Sequence, residues 1–178
     1  TERRATAFHE TAYPMQPERE TLATSDASAV GIMEDACASG KLSWVRTPYW
    51  RPDEDGKGWR GRGLVQLTHK RNYEAMSALT GIDLVADPDR AMEKGPAVSI
   101  LIEGMVQGSF SNHKLADHLN ATNDDWINAR RIVNGTDRAE KLAGYGKTFL
   151  AAIRPERPTR WFARLKQWLC RGIARLTG

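Results

Sequence analysis

The chain has 178 residues, 40% of them hydrophobic, and a formal net charge of +4 at neutral pH. This length makes one domain with room for an appendage, and the apolar content is enough to bury a core. Seven of the 26 basic residues and only one of the 22 acidic ones fall in residues 154–178, leaving +6 there and −2 in residues 1–153. The body therefore lacks the basic footprint of a nucleic-acid binder.

No apolar run reaches the ~18–20 residues of a membrane span; the longest, "GPAVSILIEGMVQG", contains Glu103. No secretory signal is visible. Cys37 and Cys170 match no metal-ligand spacing and allow at most one bridge, so a reducing compartment is expected. No cofactor or metal is expected either.

In chain order, "TERRATAFHET" predicts a helix with Ala5, Phe8 and Ala12 on one side. Pro14 and Pro17 force a loop. "SDASAVGIMEDACASG" predicts a second helix, with Ser25 or Asp26 as cap and Gly40 as stop. "KLSWVRTPYWRPDEDGKGWRGRG" reads as a small irregular β-hairpin around an acidic, glycine-bearing turn. A short apolar strand follows, and from Thr68 a helix runs to Gly81. "DPDRAMEKG" is a connection. "PAVSILIEGMVQG" predicts a buried helix with proline in its first turn. "DDWINARRIVNG" predicts a helix capped by Asp124 and closed by Gly135, and "DRAEKLAGYGKTFLAAI" another. The fold class is mainly α, or α+β in the loose sense, in a domain spanning residues 1–153.

Residues 154–158, "RPERP", read as a linker, because two prolines will not continue a helix. Residues 159–178 then form a basic amphipathic pattern. Trp161, Leu165, Trp168, Leu169, Ile173 and Leu176 share one arc, and Arg160, Arg164, Arg171 and Arg175 share a flank. Such a helix suits an anionic membrane or lipopolysaccharide, and equally a docked structural helix.

The stretch "FHETAYPMQPERE" crowds Glu10, Glu18 and Glu20 among aromatic and apolar residues. His9 and Glu10 do not complete a zinc-protease motif, since Tyr13 stands where the second histidine belongs. Glycoside hydrolysis needs one carboxyl that holds its proton and one that stays ionised. Glu10 closes an apolar-sided helix; Glu18 and Glu20 lie beyond two prolines beside Arg19. Strand alternation in "GLVQLTHKRNY" puts Gln66 and Thr68 on one face, with Asn72 and Tyr73 a helical turn beyond. The plainer reading is a hairpin leading into a helix capped by Thr68.

"HET" with a nearby glutamate, "GRGLVQLTHKRNY" and "RRIVNG" together resemble the family 19 glycoside hydrolases, which include chitinases and chitinase-like phage endolysins. "FHETAYPMQPERE" and "GYGKTF" resemble the phage branch most. The resemblance covers roughly residues 5–152. It implies a lysozyme-like fold with a small β-hairpin beside the cleft, and an inverting mechanism. It implies Glu10 as general acid and Glu20 as general base, with Glu18 a competitor because the intervening loop is short. It gives Thr68 a water-holding role. His9, Gln66, Asn72, Tyr73 and Asn134 are implied as substrate contacts. Lys141 stands where many relatives carry arginine, a point charge in place of a planar fork. Relatives usually carry helical sequence before "ATAFHET", so a fragment, or a domain lacking that support, is expected.

Trp44, Tyr49, Trp50 and Trp59 either form sugar subsites or pack the hairpin. The expected function is cleavage of β-1,4 bonds in peptidoglycan by a monomeric endolysin. The expected location is the bacterial host cytoplasm until lysis, then the periplasm and cell wall. The alternatives are a chitinase, or a non-catalytic glycan-binding or membrane-active antibacterial protein.

Overall fold

The computed structural model describes residues 2–11 and 14–153. The expected linker 154–158 and basic helix 159–178 lie outside the described residues. Within them the protein is mainly helical, with a single two-stranded sheet.

Helix α1 (Glu2–Glu10) buries Ala5, Thr6 and Ala7. It packs along α6 (Ala139–Ile153). Phe8 meets Tyr145 and Phe149 edge-on, with centroids 5.0 and 5.7 Å apart. Helix α3 (Lys70–Thr80) packs on α4 (Lys94–Gln107), joining Tyr73 and Met76 to Ile100, Leu101 and Met105 in the main core. Both helices end on a left-handed glycine, Gly81 and Gly108, whose N–H closes the last turn on Ser77 and Gly104. Helix α2 (Asp26–Ala38) starts at Ser25, whose hydroxyl accepts from the Ser28 N–H. It is peripheral and buries only Ala29 and Met33.

The connection at 88–92 is a 3-10 turn (Pro88–Met92) capped by Asp87. A one-turn helix, α5 (Leu115–His118), was not foreseen. The sequence pattern also misplaces three other features. Residues 41–61 contain no strand. Prolines break any ladder there, and acidic side chains organise the loop instead. Glu34 accepts from the Trp50 indole at 2.8 Å and from Arg51 through two bonds of 2.7 Å. Asp53 accepts from the N–H groups of Asp55 and Lys57, each at 3.0 Å, and from the Trp59 indole at 2.9 Å. The sheet joins distant segments: β1 (Glu18–Arg19) runs antiparallel to β2 (Arg62–Gly63). Residues 64–66 are a turn, with Leu67 bridged back to Arg62. Finally, 124–135 is not an α-helix. Asp124 accepts from the Trp126 indole, and Asp125 receives the Asn128 N–H, so only a 3-10 turn (Asn128–Ile132) forms.

Candidate active site

The sheet sets Glu20 just after β1, opposite the glycine between Arg60 and Arg62. The Glu20 N–H donates to the Gly61 carbonyl at 2.8 Å, and the Gly61 N–H returns to Glu20 Oε2 at 2.8 Å. The Tyr49 hydroxyl donates to Glu20 Oε1 at 2.6 Å. Both carboxylate oxygens thus hold a donor, an arrangement that stabilises negative charge. Burial first, and then the Glu20 bond and charge, push the Tyr49 phenol well above its ordinary range, so it stays a donor.

Gly61 is glycine for a steric reason. A Cβ there would stand 2.6 Å from Gln66 Oε1, 3.3 Å from Glu20 Cβ and 3.4 Å from Thr68 Cγ2. Those contacts show that Glu20, Gln66 and Thr68 converge on one point. Gln66 reaches it from a left-handed backbone (φ 52°), not from a strand. Its amide donates to the Glu18 carbonyl at 2.9 Å. Gln66, Thr68 and Asn72 share a small pocket of about 130 Å³ with Phe110 and Val133. Asn72 donates to the Thr68 carbonyl at 2.7 Å. The cap of α3 is His69, not Thr68, and no side chain serves it.

Tyr73, expected to contact substrate, is fully buried at 0% exposure. Its hydroxyl donates to the Arg60 carbonyl at 2.8 Å and accepts from Arg62 at 3.0 Å. It therefore supports the 60–62 segment from beneath. Glu18 lies in β1, and among the described residues its carboxylate has no hydrogen-bond partner.

Glu10 ends α1 and faces Arg130, whose Nη1 donates to Oε1 at 2.8 Å. Arg130 is 3% exposed and also donates to the Asp137 carbonyl. Burial first lowers the His9 pKa; Glu10 opposes this, and the charges of Arg130, Arg138 and Lys141 add to it. Lys141 itself is exposed, with its ammonium 5.9 Å from the Tyr145 ring centroid. Asn134 is exposed and accepts the Gly135 N–H at 2.9 Å. The 3-10 turn that carries Arg130 is followed by Val133, which lines the Gln66–Thr68–Asn72 pocket.

Tyr49 also lines a groove of about 750 Å³. Trp44, Val45 and Thr47 line it with Tyr49, and Arg46, His69 and Arg71 complete it. Trp44 is 73% exposed. The Tyr49 and His69 rings lie 4.3 Å apart between centroids. Burial first, then Arg71, lowers the His69 pKa, against a smaller opposing pull from Glu20.

Sequence reasoning missed Tyr49 and Arg130 as partners of the two glutamates. Tyr49 stood out only as one of an aromatic group, and Arg130 only as part of "RRIVNG". Among the described residues, no group of three or more His, Cys, Asp or Glu is placed to hold a metal. The chain matches no family model, no curated protein and no solved structure.

Proposed function

We propose that the protein is a lysozyme-like glycoside hydrolase that cleaves β-1,4 bonds of peptidoglycan with inversion. The observation that carries this reading is the Glu20 carboxylate, gripped by Tyr49 and Gly61 beside a groove of about 750 Å³. A general base must be held still within reach of its water, and two donors aimed at its oxygens fix the carboxylate's position. The groove is in the ~300–1,000 Å³ range of ligand sites. Glu20 and Thr68 both approach the Gly61 backbone, Cβ of the first and Cγ2 of the second standing 3.3 and 3.4 Å from where a Cβ on Gly61 would be.

Glu10 is assigned the general acid. Its carboxyl contacts the Arg130 guanidinium, whereas an acid acts from its protonated form. Glycan entry therefore has to loosen the Arg130 contact before protonation of the leaving oxygen. An inverting pair also needs its carboxyls ~6.5–9.5 Å apart, to admit the attacking water. The basic segment 159–178 serves in this reading as a cationic anchor at the anionic envelope.

The test is digestion of purified peptidoglycan by the intact protein and by Glu20→Gln, with mass spectrometry of the released muropeptides. Glycosidic products from the former and none from the latter support the reading. Intact glycan chains in both digests overturn it. The mass spectra also identify which bond is cut.

A further inference from the structure

The groove beside Tyr49 carries more positive charge than a neutral sugar chain requires. Arg46 and Arg71 both line it, and no acidic residue does. Both are exposed, and among the described residues neither makes an ion pair or hydrogen bond. Most other arginines of the body do have an acid opposite: Arg19 and Arg60 face Asp26, Arg51 faces Glu34, and Arg130 faces Glu10. The remaining wall is aromatic and apolar, from Trp44, Val45 and Tyr49.

Two guanidiniums over an aromatic wall fit one kind of ligand well. A pyranose ring can lie on the aromatic faces. A carboxylate on that ring, or on a short peptide attached to it, can take a guanidinium's forked pair of N–H groups. A neutral polysaccharide offers these arginines nothing equivalent. Nor does the groove hold an acid to repel an anionic chain. We propose that Arg46 and Arg71 are specificity-determining residues that read a carboxylate on the glycan. They would then favour carboxylate-bearing peptidoglycan over neutral chitin. This inference rests on the reading of the groove as a glycan site.

Two measurements test it. The first compares kcat/KM on native peptidoglycan with that on the same material after carboxyl amidation. It is made on the unaltered protein, Arg46→Gln, Arg71→Gln and the double variant. The ratio should exceed one in the unaltered protein and fall about 10–100-fold in the double variant, as expected for losing hydrogen bonds between charged groups. The change should lie mainly in KM. A ratio that the substitutions leave unchanged overturns the proposal, as does equal loss on both substrates. The second is a binding titration followed by NMR, with N-acetylmuramic acid and N-acetylglucosamine as probes. Tighter binding of the acid, abolished in the double variant, supports the proposal even if no substrate is hydrolysed. Equal affinity for the two sugars overturns it. Absence of hydrolysis with a preserved binding preference would refute the enzyme reading alone.

Discussion

At the scale of single residues, the three clustered glutamates have three different surroundings. Glu20 has two donors, Glu10 has Arg130, and the Glu18 carboxylate has no hydrogen-bond partner among the described residues. Replacing Glu20 by Gln should therefore cost ~10²–10⁴-fold in hydrolysis, and Glu18→Gln far less. Rates of soluble product release from purified peptidoglycan check this, and equal losses would undo the choice of base. Glu10→Gln should be as damaging as Glu20→Gln, with an unchanged circular dichroism spectrum. Tyr49→Phe removes a hydrogen bond to the charged form of Glu20. It should lower kcat about tenfold. An unchanged kcat would show that Tyr49 only packs. The glutamates were legible in the sequence because carboxylates beside apolar groups are costly and so conspicuous. Tyr49 and Arg130 were not, because they lie 29 and 120 residues from their partners. Tyr73 was misjudged because its helical spacing from Thr68 says which residues are near, not which side of the segment they occupy.

At the scale of elements, the first turn of α2 acts as a clamp. Asp26 bonds Arg19 at 2.8 Å and also pairs with Arg60, and it lies 3.7 Å from Arg62. It thereby holds both arginines that flank Gly61. Burial alone would raise the Asp26 pKa, but the bonds from Arg60 and Arg19 and the charges of Arg60 and Arg62 outweigh it. Its carboxyl is held below the ordinary value of 3.8. A depressed folded-state pKa contributes stability above the unfolded value, and this is lost as pH falls through the folded one. Asp26→Asn should therefore cost about 2 kcal/mol at pH 7. Its deficit against the unaltered protein should shrink below about pH 4. Urea denaturation across that range measures both effects. A second test concerns α4, where a Cβ on Gly104 would stand 2.1 Å from the Phe110 ring. Gly104→Ala should destabilise by about 1–3 kcal/mol through overpacking, read as a lower melting temperature. The helices with period-3.6 apolar faces and glycine stops were legible from sequence. The sheet was not, because strands of two residues carry no alternation to read, and their pairing is set by chain closure.

For the whole molecule, charge is unevenly divided along the chain. Residues 1–153 carry −2 and residues 154–178 carry +6. A body of that sign gains nothing at an anionic envelope, while each basic residue near such a surface contributes ~1 kcal/mol. Deleting residues 154–178 should spare hydrolysis of purified peptidoglycan but weaken action on intact Gram-negative cells. That second effect should fade as salt shortens the Debye length from ~10 Å at 0.1 M to ~3 Å at 1 M. Turbidity assays at both salt levels compare the two chains. Equal loss on both substrates would mean that the segment serves the fold and not the envelope.

The contact between Glu10 and Arg130 joins positions 120 residues apart. At a synthesis rate of roughly 5–20 residues per second, the first member of the pair waits seconds on the ribosome before its partner exists. No truncated product ending before residue 130 can contain the finished pair, however well its N-terminal helix forms.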